Sequence, residues 1–135
     1  MADDEFSEVF EEIIQDLYQR AAEPGPRPDD RNYLMGADGA FLGKITSNRY
    51  DAEGILNEYG PFGSKYSSTS INNPYGPYGS KYSAKSPWNP YATDPPKIYR
   101  NNRFVGLLTK NRFKPQAVDP DEFLKQVKTD AQLRY

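Results

Sequence analysis

One phrase, repeated in strict register, limits what this chain can fold into. Residues 57–70 read NEYGPFGSKYSSTS and residues 73–86 read NPYGPYGSKYSAKS. A shift of 16 residues places Tyr50, Tyr66 and Tyr82 together, and likewise Asn57, Asn73 and Asn89, and Tyr59, Tyr75 and Tyr91. Gly63 then falls on Gly79, Ser64 on Ser80 and Lys65 on Lys81, while the third copy decays after Ala92 into ATDPPKIY. Each unit is built from turn formers. In Asn73-Pro74-Tyr75-Gly76, asparagine opens a type I turn, proline presets the second φ and glycine closes it. Gly76 precedes a proline, which biases it towards extended backbone. Asp51, Ser67 and Ser83 are placed to cap single helical turns. Regular strands and long helices are therefore not indicated in the repeat. Strict spacing favours an ordered stack of units over a flexible tract, with Ile55, Ile71 and, one place later, Trp88 as apolar anchors in phase.

The repeat is bracketed by two related segments. Phe41 to Tyr50 and Phe104 to Phe113 share the pattern F-[LV]-G-x-[IL]-T-x-N-R-[YF], displaced by 63 residues. Each belongs to a predicted hairpin, over about 32–47 with its turn at Asp38-Gly39 and over about 97–110 with its turn at Asn101-Asn102. Gly43 and Gly106 interrupt the strands at the same place, the usual mark of a bulge or a close backbone approach. The fold class expected is α+β. A small antiparallel sheet from the two hairpins carries the turn-rich repeat between them, with an amphipathic helix at each end.

The first of these helices is expected over about residues 4–22, followed by a proline-rich linker over 23–31. Phe6, Val9, Phe10, Ile13, Ile14 and Leu17 form its apolar stripe at helical spacing, a face for packing on the body or for docking a partner. The second is expected over about 120–131, where Asp119 is a natural N-cap, Pro120 suits the first position, and Glu122 resembles a capping box. Residues 32–113 then form one repeat-containing domain, and residues 114–135 pack on it.

Composition narrows the chemistry. The chain has no cysteine and no histidine, so it has no disulfide framework, no thiolate metal site and none of the commonest general bases or zinc ligands. No glycine-rich phosphate loop or nucleophile elbow is present. The expectation is a non-enzymatic protein without cofactor or metal. Hydrophobic residues make up only 36%, while 11 tyrosines and 7 phenylalanines carry much of the apolar surface. Most rings are therefore expected to pack against the prolines of the repeat and supply the core. Rings left exposed become candidate binding residues: Tyr59, Tyr66, Tyr75, Tyr78, Tyr82, Trp88 and Tyr91, with Lys65 and Lys81 beside them. A protein partner or self-association is expected first, and nucleic acid or a glycan stacked on the tyrosines second.

Charge is uneven. Residues 1–24 hold eight acids against Arg20 alone, whereas residues 97–135 hold nine basic residues against four acids. The acidic start lacks the basic and apolar runs of a secretory leader, and no stretch is long enough to span a bilayer, so a cytoplasmic location is expected. The phrases NPYGPYGSKYS at 73–83 and WNPYA at 88–92, with the flanking glycine motifs, resemble a class of uncharacterised bacterial proteins. Those proteins carry tandem NPYGxYGSxYS units between G-x-[LI]-[ST]-x-N segments. The resemblance covers about residues 38–113. It implies a bacterial origin and an ordered repeat, and it brings no activity, cofactor or ligand with it.

Overall fold

The computed structural model describes residues 31–129. The expected N-terminal helix, with its stripe from Phe6 to Leu17, and most of the proline-rich linker lie outside them, as does the end of the expected C-terminal helix.

Both hairpins form. Strand β1 (Tyr33–Met35) pairs with β2 (Phe41–Lys44), and β3 (Lys97–Arg100) pairs with β4 (Arg103–Leu108). The first turn is closed by the Gly36 N–H on the Ala40 carbonyl and by the Ala40 N–H on Asp38 Oδ1, with Gly39 at φ 88°. In the second, Asn101 and Asn102 take φ of 55° and 62°, the paired left-handed residues that a two-residue hairpin turn requires. The hairpins join through their first strands, which run antiparallel with Tyr33 opposite Tyr99 and Leu34 opposite Ile98.

The sheet is nevertheless mixed. A fifth strand, β5 (Ala117–Val118), lies parallel to β4, giving the order β2-β1-β3-β4-β5 and correcting the expected all-antiparallel sheet. After β4 the chain loops through residues 109–116 and returns in the same direction, turning at Gln116 with φ 55°. Gly106 allows this approach, because a Cβ there would lie 2.9 Å from the Gln116 carbonyl oxygen. The strand registers slip opposite both interrupting glycines. Gly43 has φ 112°, and a Cβ on it would strike Phe62 and Ile55 at 2.7 and 2.8 Å.

Helix α1 (Pro120–Thr129) starts where its cap predicts. Asp119 Oδ2 accepts the Glu122 N–H at 3.1 Å, and Phe123, Leu124 and Val127 are buried. Lys110 ties this end down, with its ammonium 2.7 Å from Asp119 and 2.6 Å from Asp121. Burial alone would raise the Asp119 carboxyl, but the Lys110 ammonium and the Glu122 N–H outweigh it and hold the group below its ordinary value.

The core is aliphatic. Leu34, Leu42, Ile98 and Leu108 from the sheet meet Ile45, Ile55, Leu56 and Ile71, closed over by Phe123, Leu124 and Val127. Strand alternation puts Tyr33, Phe41, Tyr99 and Phe104 on the other face, where the Tyr33 and Tyr99 rings stack at 5.0 Å. The expected core of rings and prolines is therefore not what fills the interior. Buried leucines and isoleucines remove more apolar area per unit volume without a hydroxyl to satisfy.

Between the hairpins the chain is a run of consecutive β-turns. The first residues of these turns are Asn48, Asp51, Gly54, Asn57 and Gly60, then Ser64, Ser67, Ser70, Asn73 and Gly76, then Ser80, Ser83, Ser86 and Asn89. Their spacing is three residues four times and then four, which accounts for the period of 16. The capping bonds expected of Asp51, Ser67 and Ser83 form, to the N–H groups of Glu53, Thr69 and Lys85. They initiate further turns instead of helical ones, because a new turn starts every three or four residues, at a capping Asn, Asp or Ser or at a glycine, and competes with helix propagation.

Candidate functional site: a repeated tyrosine groove

Asparagine clamps each coil of this run. Asn57, Asn73 and Asn89 each donate Nδ2–H to a carbonyl six residues earlier, at Asp51, Ser67 and Ser83, over 3.0–3.2 Å. The same side chains accept the N–H of Tyr59, Tyr75 and Tyr91 on Oδ1. These asparagines are turn formers on both ends of the amide. Gly63 and Gly79 sit hard against them, since a Cβ would fall 2.2 Å from the Asn57 oxygen and 2.0 Å from the Asn73 oxygen. Successive coils are linked by the side chains one residue past the isoleucines. Asn72 Nδ2 reaches the Ile55 carbonyl at 3.2 Å, and Trp88 Nε1 reaches the Ile71 carbonyl at 2.8 Å.

This scaffold turns the tyrosines outward. Tyr50, Tyr59, Tyr66, Tyr75, Tyr82 and Tyr91 are between 80% and 96% exposed, and Phe113 is 92% exposed. Every one of the six tyrosines follows a capping Asn or Ser by two residues, and its backbone N–H is bound to that cap. The backbone of each ring is thus fixed while the ring itself stands in solvent.

Two grooves open between the coils. The first, of about 660 Å³, is lined by Ile55, Leu56, Glu58, Tyr59, Gly63, Ser64, Lys65, Tyr66 and Asn72, with Leu124 and Lys128 of α1 at one side. The second, of about 670 Å³, is lined by Ile71, Asn72, Pro74, Tyr75, Gly79, Ser80, Lys81, Tyr82 and Trp88. Each lining residue of the second is a residue of the first displaced by 16. An isoleucine and a glycine make the floor, two tyrosines make the walls, and a lysine stands at the edge with its ammonium 5.4 Å from the centroid of the adjacent ring.

Of the residues singled out by sequence, Tyr59, Tyr66, Lys65, Tyr75, Tyr82, Lys81 and Trp88 gather in these grooves. Tyr91 continues the row beyond them. Tyr78 does something else. Its hydroxyl donates to Asp38 Oδ2 at 2.6 Å, Lys85 lies 3.3 Å from the same oxygen, and this ties the repeat to the first hairpin turn. That bond, together with burial, pushes the Tyr78 phenol up to about 12. Tyr50 and Phe113 were missed. The signal that finds them is the tripeptide [NS]-[KR]-[YF], present at 48–50, 64–66, 80–82 and 111–113, and also at 102–104, where Asn102 is a hairpin-turn residue and Phe104 lies in β4.

The electrostatics are more polar than the net charge suggests. Residues 31–129 carry 14 Lys and Arg against eight Asp and Glu, a net +6, whereas residues 1–30 carry a net −8. Among the described residues no group of three His, Cys, Asp or Glu is placed to hold a metal ion, and no helix is long and apolar enough to cross a membrane. Comparison with protein-family models, curated proteins and solved structures gives no match.

Proposed function

We propose that the protein is a non-enzymatic recognition module that holds an extended polymer along its exposed tyrosines. The observation that carries this reading is the duplication of the groove. A receptor that presents the same floor, walls and lysine twice suits a ligand that repeats. With its backbone already fixed, each tyrosine has only two side-chain torsions left to order on binding, which lowers the cost of association. The lining offers contact surface and charge, and its hydroxyls at Ser64 and Ser80 serve as turn caps.

A protein segment or a second copy of the chain was the partner expected first, and a surface of Tyr, Ser, Gly and Asn is a good one for protein contact. The second expectation was a nucleic acid or a glycan, and the net +6 of residues 31–129 with the basic residue ahead of Tyr50, Tyr66, Tyr82 and Phe113 favours its polyanionic member, a nucleic acid. A bacterial cytoplasm is the setting that goes with this reading, and the apolar stripe from Phe6 to Leu17 belongs to it as a separate docking element. The test is capture from host lysate on the immobilised full chain, compared with a variant carrying Ala at Tyr59, Tyr66, Tyr75 and Tyr82. Partners retained by the native chain and lost by the variant are expected. Equal retention by both would refute the reading.

A further inference from the structure

We propose that the polymer is a single-stranded nucleic acid, an inference that rests on the recognition-module reading and deepens it. Four steps of one design carry it: Asn48-Arg49-Tyr50, Ser64-Lys65-Tyr66, Ser80-Lys81-Tyr82 and Asn111-Arg112-Phe113. In each, the first side chain accepts the backbone N–H of the aromatic residue, at 2.9, 3.0, 3.1 and 3.0 Å in that order. In each, the middle residue is an exposed cation and the ring is at least 81% exposed. A nucleotide brings one flat base and one phosphate charge, and each step offers one ring and one cation. Stacking on aromatic faces beside a cationic track is how single strands are held without sequence preference. Bases in a duplex are already stacked and have no face to give, so the match is to the single strand.

Three of the four steps are tied to neighbouring coils of the turn run, and Asn48-Arg49-Tyr50 precedes them at its first turn. Tyr66 and Tyr82 lie on neighbouring coils joined through Asn72 and Trp88. The position a further 16 residues on from Ser80-Lys81-Tyr82 is Pro96-Lys97-Ile98, which enters β3 and buries Ile98. The second flanking motif takes its place. The Lys110 N–H bonds the Pro87 carbonyl at 2.8 Å and Asn111 Nδ2 bonds the Ala92 carbonyl at 2.9 Å, setting Arg112 and Phe113 against the third coil. The capping side chains are engaged within the protein, so they do not read base edges, and binding tolerates any base.

The experiment is a fluorescence titration of the full chain with a labelled oligothymidylate, its duplex form, polyglutamate and a sulfated glycan, repeated over a range of salt. Tight binding to the single strand and weaker binding to the other three are expected. Tyr66→Ala and Tyr82→Ala are expected to weaken the single strand about tenfold each, as loss of one base stack does. Lys65→Ala and Lys81→Ala should each lower the slope of log K against log salt by about 0.7. These four side chains are exposed, and unchanged circular dichroism confirms that the variants fold. Failure to bind the oligonucleotide overturns the proposal. So does equal binding of polyglutamate or the glycan, or an affinity that the tyrosine variants leave unchanged. The broader reading stands or falls separately, on the lysate capture.

Discussion

Asn73 is the residue whose loss most directly tests how the turn run is held. The side chain is 8% exposed, donates to the Ser67 carbonyl at 3.0 Å and accepts the Tyr75 N–H at 3.0 Å. Asn73→Ala removes both bonds. At a net of about 1 kcal/mol each, the loss is about 2 kcal/mol. The Ser67 carbonyl keeps its bond from the Ser70 N–H, so no wholly unpaired acceptor is left to add to that figure. With a total stability of order 5–15 kcal/mol, the variant should unfold well before the native chain. Urea denaturation reads this directly. For an m-value of about 1–3 kcal/mol per molar, the midpoint falls by about 1 M with the slope unchanged. Asn73→Asp keeps the acceptor and loses the donor, so it should fall between the two. Asn57→Ala and Asn89→Ala should match Asn73→Ala, because they break the same pair of bonds. A midpoint shift for Asn73→Ala no larger than that of the exposed control Ser68→Ala would refute the clamp.

Three further variants separate close approach from backbone conformation and define a pH dependence. Gly79→Ala should cost about 3 kcal/mol, the upper end of overpacking, because its Cβ meets the Asn73 backbone oxygen, carbon and nitrogen at 2.0, 2.7 and 2.8 Å. Gly39→Ala meets nothing within 4 Å and should cost about 1 kcal/mol for its φ of 88°. Midpoints ranked the other way would sink the argument. Tyr78→Phe removes a contact that titrates at both ends. The Tyr78 hydroxyl, then the Ala40 N–H and Lys85, hold Asp38 below its ordinary value against the opposing pull of burial, so that contribution is lost as pH falls through the lowered carboxylate pKa. The Tyr78 phenol is raised to about 12, so its contribution is lost as pH climbs from the ordinary phenol value towards that figure. The midpoint difference between the native chain and Tyr78→Phe should be largest from about pH 5 to 9 and shrink on either side. A difference that does not vary with pH would contradict it.

Much of the fold was legible because its cues act within a few residues. Asp38-Gly39 and Asn101-Asn102 mark hairpin turns through their tolerance of positive φ. Asp119-Pro120 marks a helix start because one side-chain oxygen meets an N–H three residues on. The interruptions at Gly43 and Gly106 were readable for the same reason. The period of 16 was visible as well, although its origin in turns of three, three, three, three and four residues was not. The two grooves emerge only when coils stack, since Ile55 and Tyr66 line the first groove together with Asn72 from the next unit. The signal for the missed Tyr50 and Phe113 was in the chain, but composition drew attention to the Tyr-Gly phrase and away from [NS]-[KR]-[YF].

Sequence alone therefore determined where this chain turns, because turn geometry is settled by the side chain at hand and the backbone groups two to six residues away. Tertiary structure decided which residues those turns bury and which they display. Ile55 and Ile71 join the sheet residues and α1 in the interior, and the six tyrosines held two residues beyond a cap face outward. It also decided that β5 runs parallel to β4, because that pairing depends on how closely two distant backbones can approach at Gly106.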